Sequence, residues 1–152
     1  WFRLKIKILL SDEKKELYEK KLIEAGFTIS EEATVFLVEE DFKTNYLIVK
    51  DEDNFYIKLN KDDIVCFESF GHNIICEVLT KKFRTKEKLY QLESMFDQTE
   101  FIRISNSVIV NTNYIEKIIP SIGMKFKLRL KNGKTVEVTR NYYYKFKEVI
   151  GI

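Results

Sequence analysis

The chain has 152 residues, 45% hydrophobic and 14% aromatic, which suits one domain, or one domain with a small appendage, and excludes a disordered chain. Five glycines and one proline, Pro120, exclude collagen-like and linker-like architectures, and no apolar run reaches the roughly 18 residues of a membrane span. The net charge of +2 joins an acidic stretch, with 9 Lys+Arg against 13 Asp+Glu in 1–57, to a basic one, with 17 against 11 in 58–152; the basic part suits a polyanionic partner, and the same charges also suit a plain solvated face.

In chain order, "FRLKIKILL" alternates as a strand does. It lacks a small-residue cleavage site, so it reads as structure and not as a signal peptide, and a cytoplasmic location is expected. "SDEKKELYEKKLIEAG" reads as a helix capped by Ser11 or Asp12, with Gly26 after its end and an apolar stripe of Leu17, Tyr18, Leu22, Ile23 and Ala25. "TVFLVEE" and "NYLIVKD" read as strands, and the turn "DEDN" leads to "FYIKLN". The division expected is a small β-α-β-β unit over 1–56, too short to bury much core alone, and a larger domain over 57–152.

Beyond it, "DIVCFES" and "NIICEVLT" are β-rich runs joined by the turn "SFGHN", and "KKFRT" is a short third strand. "KEKLYQLESMF" is a helix with Leu89, Leu92 and Phe96 on one side. "EFIRIS" and "SVIVN" are strands around a bend at Asn106, and Asn111 caps the tight turn "NTNYI". "MKFKLRL" alternates strictly, with Met124, Phe126, Leu128 and Leu130 inward and Lys125, Lys127, Arg129 and Lys131 outward. Asn132-Gly133 turns a hairpin into "TVEVT", and "RNYYYKFKEVIGI" closes as a helix with Tyr143 and Phe146 in the core. The fold class expected is mostly β with α+β character.

Cys66 and Cys76 sit inside apolar runs and read as buried free thiols. With one histidine and two cysteines ten apart, no metal-ligand spacing is present. There is no glycine-rich phosphate loop and no nucleophile–base–orienter set, so neither an enzyme, a cofactor nor a small-molecule substrate is expected.

The run "FIRISNSVIVNTNYIEKI", the alternating basic strand, "KNGKTVEVTRNYY" and the final helix, with "DIVCFESFGHNI" and "FRTKEKLYQLESMF" upstream, resemble the LytTR DNA-binding domain of bacterial transcription regulators. The likeness covers about 57–152. It implies an elongated stack of short β-sheets and a sequence-specific regulator of double-stranded DNA, whose strand-connecting loops enter two successive major grooves and bend the duplex. It implies base contacts at His72, Asn106 and Arg140, with Asn73 able to take the place of His72. "SNS" at 105–107 departs from the family's commoner "HxS" by carrying serine at Ser105. The segment 1–56 is too short for the phosphoacceptor receiver that most members carry; the chain resembles receiver-less members, which implies dimeric occupancy of paired sites and a membrane-embedded regulatory partner.

The chemistry of these residues agrees. Arginine presents a planar fork that fits guanine O6 and N7, asparagine offers a donor and an acceptor to adenine, and histidine donates to a base acceptor or, when protonated, a phosphate. Asn73, Lys86, Ser107, Lys125, Lys127, Arg129 and Thr139 are expected on the DNA backbone, where they set register without reading sequence. Two other readings stand beside this one: a protein-interaction module on the same β scaffold, and a single-strand binder stacking bases on Tyr142, Tyr143 and Tyr144. The acidic first segment is expected to pair protomers or dock a regulator.

Overall fold

The computed structural model describes residues 4–39 and 42–152, and the chain divides at Thr44/Asn45 into two compact units. In the first, β1 (Lys5–Leu9) is central, and β2 (Thr28–Ile29) and β3 (Phe36–Val38) pair with its two edges, both parallel to it. The helix α1 (Asp12–Glu24) makes the crossover that a parallel pair requires. Its Ser11 occupies the N-cap position without a side-chain cap. Instead the Ser11 N–H donates to Glu39 Oε2 at 3.0 Å, and Lys14 Nζ donates to Glu39 Oε1 at 2.6 Å. These two contacts, the lysine first, hold the half-buried Glu39 carboxyl at about 2. The apolar stripe of α1 is only partly covered among the described residues: Leu22 is half-buried, while Leu17, Tyr18 and Ile23 are exposed. Glu40, the last residue of the expected strand "TVFLVEE", and Asp41 after it lie outside the described residues.

The second unit holds β4 (Tyr46–Lys50), β5 (Tyr56–Asn60), β6 (Cys66–Phe70), β7 (Asn73–Glu77), β8 (Lys82–Thr85), α2 (Leu89–Met95), β9 (Phe101–Arg103) and β10 (Val108–Asn111). Their strands form a seven-stranded sheet in the order β5-β4-β8-β7-β6-β10-β9. Residues 45–56, which the sequence reading places with the first unit, therefore belong structurally to the second: β4 pairs with β8 at Lys50↔Arg84 and along its length with β5. A strand's local pattern fixes which faces are apolar, not which neighbour it joins. The first unit does run β-α-β-β, but with β2 at Thr28–Ile29, which the sequence reading did not mark, in place of "NYLIVKD".

The remaining elements are β11 (Ile115–Ser121), β12 (Lys125–Leu130), β13 (Thr135–Val138) and α3 (Tyr143–Ile150). β11, β12 and β13 form a three-stranded antiparallel meander. Pro120 lies within β11, which is an edge strand, where a missing N–H interrupts no ladder. Met124 is not on the strand face: it takes φ 61° in the turn before β12, after Gly123 at φ 86°. Phe126, Leu128 and Leu130 of β12 are buried, and the outward Lys125, Lys127 and Arg129 alternate with them.

Two apolar layers follow from the period of two in the large sheet. On one face Phe67, Phe96 and Phe101 form a ring cluster, with centroids 4.7 to 6.0 Å apart, beside the buried Leu89 and Leu92 of α2. On the other, Cys66, Ile102, Val108 and Val110 join Phe126, Leu128, Leu130, Val136, Val138 and Phe146 in one cluster. Tyr143 stacks on Phe126 at 4.9 Å, so α3 closes this layer. Both thiols are buried and free; burial first, then Glu77, pushes Cys66 up to about 12.

Lys134, in the turn between β12 and β13, reaches the large sheet and binds Glu68 at 2.8 Å and Glu77. Burial alone would lower its pKa; the bonds to Glu68 and Glu77 outweigh that and raise it.

Candidate nucleic-acid interface

Three connections meet along one end of the second unit because of strand register. β6 and β7 pair at Phe70↔Asn73, so Gly71 and His72 form the tip of their hairpin. β10 runs antiparallel to β6 with Val108↔Glu68, which sets the 104–107 turn beside that hairpin; the Ser69 N–H donates to the Ser107 carbonyl at 2.8 Å. The last strand of the meander arrives at the same turn, where the Thr139 N–H donates to the Ile104 carbonyl at 2.9 Å. Arg140 then begins a short 3-10 turn over Arg140–Tyr142.

Asn106 and Arg140 are both exposed and line one depression of about 370 Å³, together with Ser105, Ser107, Lys125, Thr139 and Asn141. Five of the residues expected to contact DNA (Asn106, Ser107, Lys125, Thr139 and Arg140) thus come together. His72 and Asn73 do not line the depression; they are exposed on the neighbouring hairpin, where the His72 carbonyl accepts from Lys88 Nζ at 3.3 Å. Lys86 is exposed just after β8, whose Thr85 pairs with Ile74, and so emerges near Asn73.

Lys127 and Arg129 step away from the depression along the outer face of β12. That face is less cationic than its own strand suggests, because neighbouring strands bring acids opposite it. Lys125 Nζ lies 3.4 Å from Glu137, and Arg129 Nε lies 3.6 Å from Glu116. Lys127 lies directly opposite Glu137 in the ladder but makes no ion pair within 4 Å among the described residues.

The turn carrying Asn106 is held by its own polar atoms. Ser105 is buried, its Oγ accepts from the Ser107 N–H at 3.2 Å, and the two hydroxyls are 3.3 Å apart. Arg103 Nε donates to the Ser105 carbonyl and Arg103 Nη2 to the Asn106 carbonyl, each at 2.6 Å. Its Nη1 is paired with Glu93 of α2. The Tyr142 hydroxyl donates to Asn106 Oδ1 at 3.3 Å, leaving the amide Nδ2 directed away from that contact. Arg103, Glu93 and Asn141 were not singled out by sequence reasoning, and the signal for Arg103 was present: a basic residue on the strand feeding the turn, three positions before Asn106.

Asn111 takes the other role, as expected. Asn111 is 2% exposed; its Nδ2 donates to the Ile64 carbonyl at 2.8 Å and its Oδ1 accepts from the Asn113 N–H at 3.0 Å.

Residues 54–151 match the family model of the LytTr DNA-binding domain. A protein of Staphylococcus aureus strain NCTC 8325, named an uncharacterized HTH-type transcriptional regulator, is 34% identical over 94 residues, which is 62% of this chain and 63% of that protein. A counterpart of the same description in strain MRSA252 is 33% identical over the same shares. This chain therefore spans under two-thirds of the length of the relatives it matches. Among solved structures, a LytTr DNA-binding domain from Bacillus cereus is similar with a TM-score of 0.68 and 25% identity, covering 72% of this chain and 99% of that domain. No helix-turn-helix is present among the described residues, since strands separate α1, α2 and α3. The matched span, the solved fold and the clustered polar tips agree: this chain belongs to the LytTr DNA-binding domain family.

Proposed function

We propose that the chain is a transcription regulator whose second unit binds double-stranded DNA in a sequence-specific way through the connections at one end of its sheets. The observation that carries this is the exposure of Asn106 and Arg140 in a single depression lined also by Thr139 and Lys125. An amide and a guanidinium are the side chains that match base edges in the major groove, and the cations around them suit phosphates. His72 and Asn73 on the adjacent hairpin would enter the next groove, and Asn73, Lys86, Ser107, Lys125, Lys127, Arg129 and Thr139 would hold the backbone. On this reading the duplex bends to meet both sets of tips.

Single-strand stacking is less well supported. Tyr143 is stacked on Phe126 and the Tyr142 hydroxyl is engaged with Asn106, so the three tyrosines do not make one open platform. The first unit, with Leu17, Tyr18 and Ile23 of α1 exposed, fits a role in pairing protomers on DNA or in docking a regulatory protein, including a membrane-embedded one. Among the described residues no helix is long and apolar enough to cross a membrane, and a cytoplasmic place is part of the proposal. The reading implies no catalysis and needs no cofactor.

The test is selection of bound sequences from a random duplex pool, followed by titration of the selected site and a scrambled one. A recovered motif, with tighter binding to it, supports the reading; equal binding of all duplexes, or none, overturns it. Removing 1–44 rather than 1–56 tests the first unit, because the longer cut would strip β4 from the large sheet. Loss of dimeric occupancy or of regulator control is expected, with base preference retained.

A further inference from the structure

We propose that Arg103 and Glu93 are positioning residues that set the register of Asn106, and that Arg103 is not a phosphate contact. The inference rests on the DNA-reading role proposed above. An exposed arginine beside a DNA-binding loop would ordinarily be assigned to a phosphate. Here the guanidinium is turned inward: the Arg103 side chain is 16% exposed and its Glu93 partner 25%. Three of its nitrogens are already used, by the carbonyls of Ser105 and Asn106 and by the carboxylate of Glu93.

Those two carbonyls belong to the turn itself. At the bend between β9 and β10 they lack ladder partners, and an unmet carbonyl near the protein surface leaves the turn free to rotate. A planar fork that binds two successive carbonyls fixes the two peptide planes that flank the Asn106 Cα, and with them the direction in which the Asn106 side chain leaves the backbone. Glu93 then ties the fork to α2, whose Leu89, Leu92 and Met95 are buried. The reading tip is thereby referred to the core of the unit. A site held in its bound geometry before it meets its ligand loses less entropy on binding, and a misplacement near 1 Å is enough to lose a base contact.

This predicts a signature that separates a positioning residue from a phosphate ligand. Removing a phosphate contact weakens all duplexes alike and makes the dependence of affinity on salt shallower by about one counterion. Removing a positioning residue weakens only the duplex that is read.

The experiment titrates the full chain, Arg103→Ala, Arg103→Lys, Glu93→Gln and the Arg103→Ala/Asn106→Ala double variant against the selected and scrambled duplexes at several salt concentrations. Arg103→Ala is expected to lose ten-fold or more on the selected duplex and under two-fold on the scrambled one, with an unchanged salt slope. Lysine, a single point donor, does not restore the preference. The double variant loses no more than Asn106→Ala alone. Glu93→Gln gives a smaller loss in the same direction, and decides the matter if Arg103→Ala melts at the assay temperature. Equal loss on both duplexes with a shallower slope, rescue by lysine, or full preference in Arg103→Ala and Glu93→Gln would overturn the proposal. A wild-type chain without preference would overturn the DNA-reading role itself.

Discussion

Strand β10 has an asparagine-bearing turn at each end, and the two turns use the same chemistry for opposite purposes. At its far end Asn111 spends both ends of its amide inside the protein, on Ile64 and Asn113. At its near end Asn106 is exposed, and its backbone is secured by another residue's side chain. An amide that caps its own turn is consumed by folding. One whose turn is held by an arginine remains available to a ligand. Exposure and partner accounting, not residue type, separate the two.

The comparison breaks most visibly at Asn111. Asn111→Ala strips the Ile64 carbonyl of its buried donor and the Asn113 N–H of its acceptor, with an expected loss of about 2–3 kcal/mol in urea unfolding. The folded fraction should keep its duplex preference. Arg140→Ala and Asn106→Ala are the converse: each costs about 1–3 kcal/mol on the selected duplex in a titration, and leaves the unfolding free energy within about 0.5 kcal/mol of wild type. Should Asn106→Ala unfold the chain as Asn111→Ala does, the division of roles is wrong. Lys127→Ala sharpens the contrast between reading and holding: it weakens selected and scrambled duplexes equally, and lowers the salt slope by about one. The smallest expected effect belongs to Tyr142→Phe, which frees Asn106 Oδ1. A loss near 0.5–1 kcal/mol on the selected duplex alone is expected from a competition assay, since a long neutral bond contributes modestly.

Much of this was legible beforehand where a single strand or turn decides the outcome. The alternation of 125–130, the Asn132-Gly133 hairpin and the Asn111 cap each depend on a few adjacent residues, and each is present in the fold. The placement of Asn106 and Arg140 together was implied by the family resemblance alone, and it appears in one depression. What was not legible depends on distant partners. Nothing local to "NYLIVKD" says that it will pair with "KKFRT". The acids opposite Lys125 and Arg129 come from neighbouring strands, so a face that is cationic along one strand is partly neutralised across three. The stripe on α1 follows helical spacing, and Leu17, Tyr18 and Ile23 in it are nevertheless exposed among the described residues, because periodicity marks an apolar face without supplying what covers it. Charge in the sequence likewise did not distinguish Arg103, turned toward its own chain, from Arg140, turned outward.

The β12–β13 hairpin is fastened at both ends: Lys134 ties its turn to Glu68 and Glu77, and Thr139 ties its exit to Ile104. A ribbon held at two points has less freedom to rock on the sheet beneath it, which restrains the gap between the His72 hairpin of the large sheet and Arg140, which follows the last strand of the meander. On the proposed reading, a duplex whose groove spacing differs from that gap would have to supply the yield, so sequences that deform easily would be gripped more tightly even at positions no side chain touches.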